Sequence, residues 1–436
     1  MYKNYKFLLS ILCLMVGFGV QAQVTVQSPY SKFGIGNVKG TLTPQWRAMG
    51  GITTAVGKNS FFNNINAANP ASFALTDATA IDIGAAVNFN EIKNQRISET
   101  SFNGALSHVA FSFRTGKRAG LSFGVLPYSE LGYDFSSTGK IGTTPDNQRD
   151  VNYLYSGEGG LTKAYLGYGI GIGDYFRIGA NAEYLFGNLS DTRSTQFIDD
   201  PGAMASKIQD KNSIGGFTFA YGAQYDFRLD NRTSLTIGYS GNSSNKLNSK
   251  KTSYVTQYTL APNGEENAAI DTLFSTENAD THLKMPLMHS VGIVYQKYDK
   301  WLIGADYRMG KWSALSMDRV NQNLQDTYGF SLGGQITPDA SSVNNYFKRV
   351  EYRLGFSYDK TYIQMNNRDV KQMAVTFGMG LPLSSFTRGT FYKANLALEL
   401  GQRGSISNGL LQERYFNIHL GFTLNDGSWG QRYKLD

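Results

Sequence analysis

Along most of this chain, large apolar residues fall on every second position. The clearest case is Leu166 to Gly173, where Leu166, Tyr168, Ile170 and Ile172 alternate with Gly167, Gly169, Gly171 and Gly173. A period of two is that of a β-strand. After Asp174 the pattern returns as Phe176, Ile178, Ala180, Ala182, Tyr184 and Phe186, set against Arg177, Gly179, Asn181 and Glu183. This predicts a hairpin turned at Gly173 and Asp174. Phe217, Phe219, Tyr221, Ala223, Tyr225 and Phe227 repeat it, as do Trp301, Ile303, Ala305, Tyr307 and Met309, and then Phe416, Ile418, Leu420, Phe422 and Leu424.

The same reading predicts strands over 79–91, 103–114, 118–130, 158–172, 175–188, 213–228, 233–246, 286–297, 300–314, 347–358, 361–366, 370–382, 389–402 and 412–424. The stretch 250–260 could extend a strand outward. A half-buried soluble sheet would also alternate, so the faces must decide. Here the apolar face carries aromatic residues near the strand ends, while the other mixes glycine with charges of both signs. That fits lipid outside and a polar lumen inside better than a β-sandwich. Connection lengths agree. Turns at Thr115 to Lys117, Gly173 to Asp174, Leu229 to Asn231, Tyr298 to Asp299, Asp359 to Lys360 and Leu383 to Thr387 are short, whereas 131–157, 189–212, 247–285 and 315–346 are long. Short periplasmic turns and long external loops mark an outer-membrane barrel. The expectation is an all-β antiparallel transmembrane barrel of about fourteen strands over 79–436, with both termini periplasmic.

Two earlier segments do not alternate. In residues 1–22, Lys3 and Lys6 precede an apolar run from Phe7 to Val20, and Val20, Gln21 and Ala22 form a small-residue cleavage site, which predicts a signal peptide and an exported chain. Residues 23–78 are rich in small and turn-forming residues: Gly34, Gly36, Gly40, Gly50, Gly51 and Asn66 to Ala71. Irregular backbone is tolerated at membrane depth only inside a barrel, so this stretch is expected to be an amino-terminal plug.

Composition sharpens the picture. No later run is apolar enough for a membrane-spanning helix, and a mean hydropathy of -0.31 is no objection, because barrel strands show lipid only alternate residues. The only cysteine is Cys13, so the mature chain is expected to have neither disulfides nor Cys-ligated metals. Without Lys3 and Lys6 there remain 39 basic against 34 acidic residues, a mild net charge of +5. The charges do not cluster, which argues against nucleic acid as a partner. Tyr and Phe number 27 each, as aromatic girdles require.

Certain residues resemble the FadL-type channels for long-chain fatty acids and aromatic hydrocarbons. Arg47 and Ala48, then Asn69, Pro70 and Ala71, resemble that family's amino-terminal hatch. Met285, Pro286, Trp301, Tyr307, Trp312 and Ser313 are similar to its second signature, with Met in place of Leu. Gly157 to Leu161 and Gln402 to Gly404 resemble more distant members from bacteria that use type IX secretion. The resemblance implies a fourteen-stranded barrel with a hatch, located in the outer membrane. It also implies apolar ligands and lateral release at a kink in the third strand. That strand holds Gly124 and Pro127, and a proline without a ladder N–H predicts a gap or bulge there on chemical grounds, or a plain strand end near the rim.

Catalytic chemistry finds little support. His108, His282, His289 and His419 lie in no metal or nucleophile motif, so no enzyme, metal site or cofactor is expected. Arg177, Glu183, Asp226, Asp306, Arg308, Arg353, Lys393 and Glu399 should face the lumen. They would either pair with one another and pin the plug, or, through Arg308, Arg353 or Lys393, draw in a substrate carboxylate. The glycines at 167, 169, 171 and 173 would admit the plug backbone or simply relieve crowding. Two functions remain: a passive outer-membrane channel for hydrophobic small molecules such as fatty acids, or a docking barrel in a larger secretion or assembly complex. The expected partners are outer-membrane lipid, an apolar ligand and, under the second reading, proteins at the external loops.

Overall fold

The computed structural model describes residues 28–94, 98–142, 148–200, 202–383, 390–406 and 410–427. The expected signal peptide lies outside them, as does most of the turn after Leu383. The barrel strands are β1 (Thr79–Lys93), β2 (Ser98–Gly116), β3 (Ala119–Ile141), β4 (Arg149–Ile172), β5 (Phe176–Phe197), β6 (Ala205–Arg228) and β7 (Thr233–Asn242). They continue as β8 (Met288–Lys297), β9 (Trp301–Gly310), β10 (Thr327–Ile336), β11 (Glu351–Met365), β12 (Arg368–Pro382), β13 (Thr390–Gly404) and β14 (Gln412–Asp426). Each pairs antiparallel with the next, and β14 returns to β1 from Gln412↔Lys93 to Asp426↔Thr79, closing the sheet.

The expected all-β barrel and its count of fourteen are borne out, but several local readings are not. The connections 131–157 and 189–212, expected as long loops, are largely strand, with β3 reaching Ile141, β4 starting at Arg149, β5 reaching Phe197 and β6 starting at Ala205. Asp359 and Lys360 do not form a turn, because β11 runs through them and turns only after Met365. Asp359 instead faces the lumen, where it pairs with Arg308 at 2.9 Å, so a polar pair between apolar runs had mimicked a turn. The stretch 315–346 is not one long loop either. It contains β10, where Tyr328, Phe330, Leu332 and Ile336 point outward and Ser331 is fully buried. One strand lost and one gained leave the count unchanged.

Outward-facing residues form an apolar band, with Leu420 53% exposed, Phe219 50% and Ile303 64%. An exposed apolar surface that circles a molecule is suited to hydrocarbon rather than water. Most lumen-facing residues within the band are polar or small, so the alternation read from sequence maps onto the two faces. Val294 and Leu302 depart from it by packing inward against Trp46, Met49 and Ile52.

At the end opposite the close of β14 at Asp426, β3 to β6 run on far beyond the band, and the first described residues reach it too, Ser28 donating its N–H to the Gly132 carbonyl at 3.1 Å. The segment 247–285 is not a loop but a hairpin of strands Lys246–Tyr258 and Asp271–Lys284, and the first pairs with β6 from Ala205↔Tyr258 to Gly215↔Asn248. Inside this end, Tyr30, Ile35, Leu131, Leu161, Leu189, Leu247, Met285, Trp312 and Tyr362 belong to one buried apolar cluster.

The amino-terminal segment lies within the barrel, against lumen-facing residues. Gly50 donates its N–H to Thr376 at 2.9 Å and accepts from the Ser331 hydroxyl at 2.5 Å. Asn63 and Asn425 exchange two bonds of 2.6 and 3.1 Å. The approach is close enough to require glycine: a β-carbon on Gly355 would sit 2.0 Å from Gly50 N, and one on Gly238 2.1 Å from the Thr54 carbonyl oxygen.

Candidate functional site

The amino-terminal segment sets the interior geometry. Asn69 caps the 3₁₀ turn Pro70–Leu75, accepting from Ala71 N at 3.1 Å, and proline fits the next position because its missing N–H would be unpaired anyway. The Asn69 amide also donates to the carbonyls of Thr54 at 2.6 Å and Tyr239 at 3.2 Å, tying the turn to β7. The short helix Pro44–Arg47 precedes buried Ala48, which packs against Gly378. Arg47 donates to the Lys39 carbonyl at 2.6 Å and lies 3.9 Å from Glu399.

The lumen charges are paired. Asp306 accepts from Thr53 N at 2.7 Å and from the Thr54 N–H and hydroxyl, both at 2.9 Å. Arg177 is bidentate on Asp226, and Lys163 lies 2.9 Å from Glu183. Glu351 takes both Arg353 and Lys393, the latter at 3.2 Å, and Lys393 also stands 4.4 Å over the Phe62 ring. Arg308, Arg353 and Lys393 thus each have a carboxylate of their own protein. Of the glycine face, Gly167 meets Phe73 and Gly169 meets Pro70, but Gly171 meets Arg118 and Gly173 meets nothing within 4 Å. Only the first two accommodate the amino-terminal segment.

At the third strand the wall changes. β2 and β3 pair from Gly116↔Ala119 to Val109↔Val125 and no further, while β2 stays joined to β1 up to Ser98. Beyond Val125, β3 carries Pro127, and its register with β4 shifts between Pro127 and Ser129. The freed edge of β3 is partly taken by Asn37 and Val38, which pair with Glu130 and Ser129. Gly124 lies below the break, where a β-carbon would meet the Val109 carbonyl oxygen at 2.5 Å.

Behind this break lies a chamber of about 420 Å³. Ser101, Asn103, Leu106 and His108 border it from β2, and Leu126, Pro127, Ser129 and Glu130 from β3. A second chamber of about 430 Å³ shares the residues from Asn37 to Leu42 with the first, and so lies against the same stretch of the amino-terminal segment. The salt bridges Lys39–Glu130 (2.6 Å), Arg47–Glu399 (3.9 Å) and Arg403–Glu413 (3.7 Å) line the first chamber. Sequence reasoning found Pro127 but not this lining, although Asn88 and Asn90, alternate residues on β1, were a readable sign of polar inward positions. Among the described residues, no group of three or more His, Cys, Asp or Glu could hold a metal.

A family model described as BamG matches residues 1–436. The chain belongs to the BamG family. No curated protein sequence matches. Among solved structures, this BamG-family chain is similar to the toluene transporter TbuX of Ralstonia pickettii, with a TM-score of 0.57 and 18% identity over 89% of this chain and 99% of that one. A FadL homologue of Pseudomonas aeruginosa aligns with a TM-score of 0.58 and 14% identity over 90% and 99%. The toluene transporter TodX of Pseudomonas putida aligns with a TM-score of 0.54 and 16% identity over 90% and 100%. The FadL-type fold expected from the hatch residues is therefore present.

Proposed function

We propose that this BamG-family barrel is an outer-membrane channel that exchanges hydrophobic or amphipathic small molecules between its lumen and the surrounding bilayer, sideways, through the break between β2 and β3. One observation carries the reading: a chamber borders that break on both strands, at the only site where the β2–β3 ladder is lost. The apolar cluster, to which Tyr30 and Ile35 of the amino-terminal segment belong, obstructs the axial route at the far end, and the rest of that segment acts as the plug. In this reading the far end is extracellular and the carboxyl end of β14 is periplasmic, whereas the expectation of a periplasmic amino terminus does not fit Ser28, which is bonded to Gly132 toward the far end. The solved channels of the same fold are transporters of toluene or a FadL homologue, which supports an apolar substrate class. Uptake of labelled oleate and toluene, compared between cells with and without the gene, tests it. Slower uptake without the gene is expected, and equal uptake would overturn the proposal.

One observation favours a second reading, a docking barrel in a larger outer-membrane complex. The far-end sheet projects well past the band, and its extremities expose Ile141, Ile198, Met204, Ile270, Leu273 and Phe274. Native purification separates the two. A stoichiometric protein bound at these tips supports docking, and a solitary barrel with lipid in its lumen supports exchange.

A further inference from the structure

The chamber behind the break mixes apolar side chains such as Leu42, Leu126 and Tyr165 with polar ones. Asn88, Asn90, Asn103, Gln372 and Asn417 place carboxamides along it. Two hydroxyls that line it, Ser129 (3% exposed) and Thr43 (6%), have no hydrogen-bond partner among the described residues. Buried hydroxyls left unpaired carry a desolvation cost, which a ligand offering hydroxyl groups would remove.

Charge narrows the ligand further. Lys39, Arg47 and Arg403 are each matched by a carboxylate, Glu130, Glu399 and Glu413, so the lining has no cation left over to select an anion. A free carboxylate would have to compete with these internal partners. An uncharged headgroup dense in hydroxyls would not.

The apolar part of the ligand has a different place. Leu106, 60% exposed, and Phe102, 55% exposed, stand on the outer face of β2 beside the break, and Leu106 on β2 and Pro127 on β3 both border the chamber there. A hydrocarbon chain passing there would lie in the bilayer while its head stayed in the chamber.

Building on the lateral-exchange reading above, we propose that the chamber is a headgroup site for a neutral, polyhydroxylated amphiphile of the alkyl glycoside class, with its chain emerging through the β2–β3 break. Ser129, Thr43 and Asn88 bond the hydroxyls, and the balanced ion pairs exclude charged heads.

The full chain, reconstituted in lipid nanodiscs without detergent, is exposed to an octyl glucoside carrying a photoreactive group on its sugar, and the labelled peptides are mapped. Labelling within 101–110 and 126–130 is expected, displaced by unlabelled octyl glucoside but not by octanoate. Combining Ser129→Val with Asn88→Leu should cut that labelling by at least about fivefold, as for the loss of one or two hydrogen bonds. A hydrocarbon-tagged probe that labels the outer belt equally in both proteins shows that the variant is folded. If octanoate competes as well as the glycoside, the headgroup class is wrong while lateral exchange stands. If neither molecule reaches the chamber, both proposals fall.

Discussion

The Asn103 amide on β2 donates to the Glu130 carboxylate on β3 at 2.9 Å, across the one place where these neighbouring strands have no ladder. Glu130 also holds Lys39 of the amino-terminal segment at 2.6 Å. A single carboxylate therefore joins both sides of the break to the segment inside. The side chains replace the missing backbone bonds, and unlike a ladder they can release one partner at a time.

That arrangement predicts a lock. The native chain has one cysteine, Cys13, so replacing both Asn103 and Glu130 with cysteine adds the only pair within the barrel. Bridging the two thiols with a flexible bis-maleimide linker that contains a cleavable disulfide should halt exchange of a spin-labelled amphiphile between lumen and bilayer, and cleaving the linker with a reductant should restore it. Glu130→Ala should act in the opposite direction, raising the exchange rate severalfold because it frees Lys39 and Asn103 together. A bridged pair that exchanges as fast as the cleaved one would refute the lateral route.

Asp306 anchors the amino-terminal segment differently, through three donors from Thr53 and Thr54 on one carboxylate oxygen. Asp306→Ala leaves those donors buried and unpaired, at an expected cost of about 2–4 kcal/mol. The measurable result is a lower unfolding temperature and new protease cleavage within residues 39–78. Asp306→Asn keeps an acceptor and should recover most of the loss.

Glycines offer a sharper contrast. On Gly333 a β-carbon would stand 2.1 Å from the Met49 carbonyl oxygen, where backbone faces backbone and neither can retreat. Gly333→Ala should displace the segment and expose it to protease. On Gly104, the nearest atom to a β-carbon is 3.9 Å away, so Gly104→Ala should leave the unfolding temperature within about a degree or two, as expected of substitutions that meet no packed neighbour. Equal effects would mean that the close approach in the lumen is not what fixes glycine there.

These residues also show what was legible in the sequence. Phe219 and Leu420 announce their face by alternation, because lipid outside and water or protein inside impose opposite polarity on successive residues. Pro127 announces the break, since it has no N–H to give. Strand β10 was equally readable at Tyr328, Phe330 and Leu332, but polar neighbours on both sides obscured it. Asp359 misled because a lumen-facing charge near the rim resembles a turn residue until its partner Arg308, far away in sequence, is known. The bond from Asn103 to Glu130 and the pairing of Asn37 with Glu130 have no local signature at all. They arise only when the barrel closes and brings the amino-terminal segment to the third strand.

The far-end sheet should respond to pH in two opposite steps. Asp191 on β5 stands directly across from Asp210 on β6. Burial raises the Asp191 carboxyl above its ordinary value, although it accepts the Tyr133 hydroxyl at 2.5 Å. Burial also acts on Asp210, but its bond from Ser253, with Lys251 and Arg193 beside it, outweighs that and holds Asp210 below its usual 3.8. A raised carboxyl weakens the fold while it is charged, so its penalty is relieved as pH falls through the folded value, which lies above 3.8. A depressed carboxyl contributes stability above 3.8 that is lost as pH falls through its lower folded value. Resistance of residues 189–215 to an acid-active protease should therefore rise on mild acidification and collapse below the ordinary carboxylate range. Asp191→Asn should abolish the rise and keep the collapse, and Asp210→Asn the reverse. A profile that Asp191→Asn leaves unchanged would show that these two facing carboxylates do not govern the sheet.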